Sequence, residues 1–338
     1  MSAAAHATAL AAAAALALAA AMPARAADSA VILVYPRIAN GPVNSTVTAA
    51  QFDAHIKELQ SGPYKIMKLG DIVDALKQGR ALPQRVVALT FDSGDRALQR
   101  TVWPKLKAAN MPMAVFIGAD RPGNRTDHLG WEQLSEMASG GVEIGITGPS
   151  GISLAAMPVE RVKTELARAI KKMQQELGRA PRFLAYPQGE FTASTIAAVA
   201  EAGIEAAFGE HSGAAHKSLG MLTLPRFLLS QTYGDMDRFR IVAGALALPI
   251  KDLVPADPRV TRPNPPTLGF TVDPPLGGLD QLNCFAAGQG RATVEVLGEA
   301  RVEVRLLGEL PAGRARVNCT MPGPEGRWRW LGIPFLVQ

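Results

Sequence analysis

Cysteine is scarce: Cys284 and Cys319 are the only two in 338 residues. Two thiols cannot fill a structural zinc site, and they do not make a disulfide-built scaffold. Sequence cannot supply their Cα separation, so a disulfide and a pair of buried thiols both stay open. Basic clusters are missing too. The formal net charge is +5, but no run of five or more Lys or Arg occurs, which leaves nucleic-acid binding without support. Beyond the N-terminus no stretch reaches the ~18 apolar residues of a membrane span, and no internal repeat is visible. The N-terminus itself lacks the usual basic start. Residues 10–22 are nonetheless continuous Ala, Leu and Met, followed by Pro23 and then Ala24-Arg25-Ala26, an A-x-A cleavage pattern. Residues 1–27 therefore read as a signal peptide, and the mature chain as periplasmic or secreted.

What is present is a large apolar reserve. The chain is 48% hydrophobic, enough to bury the core of one large domain and a smaller one. Short apolar strands at 31–35 (VILVY), 86–89 (VVAL) and 113–117 (MAVFI) alternate with helical patterns. A helix is predicted from Thr48, an N-cap, to residue 59, and the longest over 158–177, with Val162, Leu166, Ile170 and Met173 along one stripe. Six or seven such alternations up to about residue 250 predict an α/β fold with a parallel sheet or barrel. The stretch 86–96 (VVALTFDSGDR) is its focus. A buried strand runs into a polar turn, and strand carboxyl ends are where chemistry sits in such folds. Asp92 is the first candidate residue there; the local pattern fits a helix cap equally well.

After Pro249 the texture changes. Pro255, Pro258, Pro263, Pro265 and Pro266 predict a stiff linker over 251–266. Beyond it, alternating strands at 268–272, 292–296, 302–306 and 315–319 predict a small all-β sandwich-like domain over 267–338. Trp328 and Trp330 share one strand face, read as sandwich core ahead of a sugar platform. Trp131, in an amphipathic pattern, reads as core in the same way.

The ordered pieces of residues 30–245 resemble the NodB-homology polysaccharide deacetylases, carbohydrate esterase family four. VILVYPRI (31–38) is similar to the family's opening V-L-x-Y-H-R, LTFDSGDR (89–96) to T-F-D-D-G-Y-R, IGITGPSG (144–151) to I-G-x-H-[ST]-x-x-H, and AYPQGEF (185–191) to A-Y-P-Y-G-x-x. FGEHSG (208–213) and LPRF (224–227) resemble later segments of one branch. The resemblance implies a distorted (β/α) barrel of the NodB type over 28–250 and an N-acetylated oligo- or polysaccharide as partner. It also implies a divalent metal such as zinc, held by an aspartate and two histidines beside an aspartate base.

Asp92 matches the base, but the metal positions are Ser93, Thr147 and Gly151, and the opening-strand histidine is Pro36. Hydroxyls are poor zinc ligands and glycine offers no side chain, so no bound cofactor is expected at this place. The loss matters because a metal brings the pKa of its water to about 7 and stabilises the transition state by several kcal/mol. Asp95, His128 and Glu132 are the residues from which a displaced site would be built; for the two acids the alternative is solvated first-turn positions. Among the residues that remain, Tyr186 and Pro187 fall where the family places an oxyanion-stabilising backbone N–H, with Gln188 in place of the usual tyrosine. His211 is a candidate general acid, or a histidine bonded within a glycine-rich turn. Arg226 either orients Asp92 or pairs with an acid such as Asp235. The expectation is an exported, deacetylase-like protein that binds N-acetylated glycans with a degenerate catalytic site. The alternative is an active carbohydrate N-deacetylase using Asp92 with a displaced or absent metal. A protein partner docking on the β domain is a third expectation.

Overall fold

The computed structural model describes residues 27–124, 126–149 and 152–338. The expected leader lies outside these residues except for Ala27, whose N–H donates to the Leu82 carbonyl at 2.8 Å. Gly151 lies outside them as well.

The first sheet is built from β1 (Ser29–Tyr35), β2 (Lys65–Ile66), β3 (Val86–Phe91), β4 (Met113–Gly118), β5 (Glu143–Thr147), β6 (Phe183–Ala185), β7 (Ala206–Phe208), β8 (Ala215–His216) and β9 (Phe227–Leu228). Its order is β7-β6-β5-β4-β3-β1-β8, with β2 added on β3 and β9 on β1. The pairs are parallel except β1 with β8. Among the described residues, seven α-helices flank it: α1 (Ala49–Ser61), α2 (Leu69–Gln78), α3 (Trp103–Ala108), α4 (Trp131–Ser139), α5 (Val159–Leu177), α6 (Ala193–Glu201) and α7 (Met236–Ala243). β1, β3 and β4 are buried along their whole length because apolar cores lie on both faces, which is why they do not alternate. The sheet curls into the distorted half-barrel that the sequence predicts.

Local signals fix the helix ends. Thr48 Oγ1 accepts from the Gln51 N–H at 3.1 Å and the Thr48 N–H donates to Gln51 Oε1, closing a capping box at the start of α1. The segment after β3 opens as a wide helical turn, Leu98–Val102, before α3. Pro104 lacks the N–H that would continue the regular ladder. Trp131 sits half-buried at the start of α4 against the barrel core, as expected.

The second body has two facing sheets. One runs β10 (Leu246–Ala247), β19 (Trp328–Val337), β18 (Gly313–Pro322), β14 (Asn283–Ala286), β15 (Gly290–Arg291), with β12 (Arg259–Val260) also on β19. The other runs β11 (Ile250–Val254), β13 (Leu268–Val272), β17 (Arg301–Arg305), β16 (Thr293–Leu297). Phe270, Val302 and Val304 of the second sheet share a core with Val317, Ile333 and Phe335 of the first, a sandwich.

Two expectations are corrected here. Residues 251–266 are not simply a stiff linker: β11 pairs with β13, and β12 lies parallel to the end of β19. The prolines fall between these short strands, where no ladder N–H is lost. Nor do the tryptophans enter the sandwich core. Their shared face of β19 turns toward the barrel, where Trp330 packs edge-on against Phe227 with centroids 5.3 Å apart, and Trp328 is 39% exposed.

Cys284 and Cys319 stand opposite one another in the β14–β18 ladder, with Cα atoms 4.0 Å apart, and are joined as a disulfide. The bridge closes a separation of 35 residues. Replacing both cysteines with alanine is expected to lower unfolding stability by about 2–4 kcal/mol, measured by urea titration without reductant.

Candidate functional site

β3 delivers Asp92 to the carboxyl end of the sheet. The Asp92 N–H donates to the Tyr35 carbonyl at 3.1 Å, extending the β1–β3 pairing by one residue. Asp92 is thus not a helix cap. Arg226, fully buried just before β9, reaches it with a two-pronged bond: Nη1 donates to Oδ1 at 2.7 Å and Nη2 to Oδ2 at 2.6 Å. The same guanidinium donates to Thr90 Oγ1 at 3.2 Å and to the Gly209 carbonyl at 3.0 Å. A buried cation is tolerated only when it is paired and its N–H groups are satisfied. Of the two partners foreseen for Arg226, Asp92 is the one observed; Asp235 caps α7 instead, accepting from the Arg238 N–H.

Around Asp92 opens a groove of about 730 Å³ across the strand ends. Ser93, Thr147, Tyr186, Pro187 and Gln188 all line it, as does Pro36. Arg314 and Arg316, from β18 of the sandwich, form another part of its wall. Arg314 Nη1 donates to the Gln188 carbonyl at 2.9 Å. Gln188 holds a left-handed backbone, φ 60°, in the tight turn after β6.

These donors do not fit a divalent metal ion. Both Asp92 oxygens accept from Arg226, whose fixed positive charge opposes a second cation beside it. Ser93 Oγ is a neutral hydroxyl that accepts from the Asp95 N–H at 3.1 Å, and Thr147 offers another hydroxyl. Asp95 is held by Arg37 at 2.6 Å. His128 pairs with Asp95 in a backbone bridge and lines the groove. Glu132 is exposed in the first turn of α4 and does not line the groove. Among the described residues, no three His, Cys, Asp or Glu side chains gather where they could hold an ion.

Two further expectations shift. The Tyr186 N–H donates to the Phe208 carbonyl at 2.9 Å and Pro187 has no N–H, so neither is an oxyanion donor. Among the described residues, the fully buried Tyr186 hydroxyl has no hydrogen-bond partner. His211 does not line the groove with Asp92. Its ring turns into a smaller recess between barrel and sandwich, edge-on to Phe191 at 5.7 Å, with a bond to the Thr223 backbone. That places it away from the general-acid position beside Asp92, and its bond goes to Thr223 rather than within its own glycine-rich turn. The residue before it, Glu210, is the one that reaches the groove. Burial, and then the charge of Asp92, push its carboxyl up from the usual range.

Burial also pushes the His211 imidazole down to about 3, so it stays neutral in the folded protein. An unfolded histidine protonates near 6.5. The unfolded chain therefore binds the extra proton as pH falls below that value, and the stability present above it is lost toward the folded value. His55, also pushed down by burial, acts in the same direction. In urea unfolding from about pH 7 to about pH 4, His211→Asn should remove up to about 1.4 kcal/mol per pH unit from the acid slope.

Residues 79–207 match the family model for polysaccharide deacetylases. YxkH of Bacillus subtilis (strain 168) is 27% identical over 200 residues, 59% of this chain and 71% of that protein. The poly-beta-1,6-N-acetyl-D-glucosamine N-deacetylase of Staphylococcus aureus (strain MRSA252) is 22% identical over 200 residues, 55% of this chain and 69% of that one. Among solved structures, IcaB from Ammonifex degensii aligns with a TM-score of 0.59 at 22% identity, covering 65% of this chain and 98% of its own. The Streptococcus pyogenes deacetylase PplD, in complex with acetate, aligns at 0.58 and 18% identity, covering 64% and 98%.

Proposed function

We propose that this chain, whose residues 79–207 match the family model for polysaccharide deacetylases, is an exported member of that family that binds N-acetylated glycans without metal-dependent deacetylation. The observation that carries this reading is the Arg226 clamp on both oxygens of Asp92, next to hydroxyls where a metal would need charged or imidazole donors. An amide is a poor electrophile, and a carboxylate engaged in this way is a weak base for activating water. The groove itself persists at about 730 Å³, which is the size of a small-molecule subsite. Export rests on the apolar segment and A-x-A pattern near the N-terminus. Among the described residues no helix is long and apolar enough to cross a membrane.

A second reading is metal-free hydrolysis. Glu210, whose carboxyl is pushed up from the usual range by burial and the charge of Asp92, would be the acid and Asp92 the base. One experiment separates the two. Purified protein is assayed for bound metal, for acetate release and for binding of β-1,6- and β-1,4-linked N-acetylglucosamine oligomers. The first reading expects binding with no stoichiometric metal and no acetate. Acetate release that survives chelation and is lost in both Asp92→Asn and Glu210→Gln would establish the second. Stoichiometric zinc or cobalt at Asp92 would overturn both.

A further inference from the structure

We propose that the sandwich makes this groove selective for glycans carrying a carboxylate, with Arg316 as the residue that binds it. The inference rests on the glycan-binding reading above and names the class of glycan.

Formal charges along the groove balance, Arg37, Arg121, Arg314 and Arg316 against Asp92, Asp95, Asp127 and Glu210, so its selectivity turns on which of them have a close partner. Asp92 is neutralised by Arg226, and Asp95 by Arg37 at 2.6 Å. Arg314 stands 3.6 Å from Glu190 and 3.7 Å from Glu210 while holding the Gln188 carbonyl. Asp127, the remaining carboxylate of the lining, is solvent-exposed. Two lining guanidiniums are left over, Arg121 and Arg316. Among the described residues, neither side chain has a hydrogen bond or ion pair to another group.

Of the two, Arg316 is better placed. It is half-buried on β18, one residue beyond Ala315 and so on the same face as Arg314. The β18–β19 ladder runs across ten residue pairs, so its backbone is rigidly held. Its side chain lines both the groove and the recess that holds His211. A partly desolvated guanidinium on a rigid strand is a good receptor for a planar carboxylate, because the fork is presented before the ligand arrives. A uronic acid supplies that carboxylate, and a glycan alternating uronic acid with N-acetylhexosamine would offer the acetamido group alongside it. A purely neutral N-acetylglucosamine chain would leave Arg316 unpaired.

The test is calorimetric titration of the full chain with two probes of equal length. One is a neutral N-acetylglucosamine oligomer, the other a hyaluronan-type oligosaccharide of alternating glucuronate and N-acetylglucosamine. The uronate probe is expected to bind about ten-fold tighter, an advantage that shrinks between about 50 mM and about 300 mM salt. Arg316→Gln should bring the two probes to parity. Arg305→Gln, an exposed substitution on β17, should leave the preference intact; thermal unfolding reports whether each variant folds. Equal affinity of the two probes, or a preference unmoved by Arg316→Gln in a folded variant, would overturn this inference and leave the glycan-binding reading standing. Binding of neither probe would overturn both.

Discussion

Asp92→Ala is expected to cost about 3–5 kcal/mol of unfolding stability, although the residue faces a solvent-filled groove. Its removal strands Arg226, a guanidinium with no exposure to water, beside acceptors that are all neutral. Arg226→Met also costs stability, since Thr90 and the Gly209 carbonyl lose their donor and the contact over the Phe116 ring is lost. The double variant should nevertheless be more stable than the sum of the two single costs implies, with a coupling of about 1–3 kcal/mol. Once the carboxylate is gone, removing the stranded cation relieves part of the penalty. Urea titration of the wild type, the two single variants and the double variant at neutral pH gives the cycle. Strict additivity would mean that Thr90 and Gly209 hold Arg226 alone. Asp92 would then be unclamped, and the chief objection to a metal at that place would fall away.

The Asp92–Arg226 pair could be read from the sequence only as one of two options. Nothing local distinguishes Asp92 from Asp235 as the partner of an arginine that lies 134 positions from the first. The barrel was legible because its signals are local. β1, β3 and β4 are unbroken apolar runs, and Thr48 with Gln51 writes the start of α1 in four residues. The disulfide stayed open because pairing depends on strand register, which places Cys284 opposite Cys319. The region 251–266 misled because proline density marks a linker and short edge strands alike. His211 stood out as the more reactive residue type, yet the direction of one side chain in a turn gives the groove to Glu210. Arg314 and Arg316 carried no sequence signal at all. They become part of the groove only because β18 is laid against the turn at Gln188, more than a hundred residues earlier in the chain.

Gly332→Ala is the substitution that tests this joining of sandwich and barrel. Gly332 lies in β19, and a Cβ there would fall 2.2 Å from the Ser212 carbonyl oxygen and 2.8 Å from the Ser212 nitrogen. Both are backbone atoms, so no side chain can rotate away; either β19 or the 212 segment must move. That segment follows Glu210 directly and is bridged to β19 through Gly213 and Leu331. Overpacking of this kind costs about 1–3 kcal/mol, and here the displacement is directed at the groove wall. The variant should therefore lose stability and also bind glycan more weakly, because moving β19 shifts the paired β18 and the hold of Arg314 on the Gln188 carbonyl. Gly277→Ala, where a Cβ meets nothing within 4 Å, serves as the control, with an expected change within about 0.5 kcal/mol. A Gly332→Ala protein with lower stability and undiminished glycan affinity would show that the groove works without a precisely seated sandwich. Arg314 and Arg316 would then be bystanders at its rim, and recognition would have to be sought in the strand-end residues of the barrel alone.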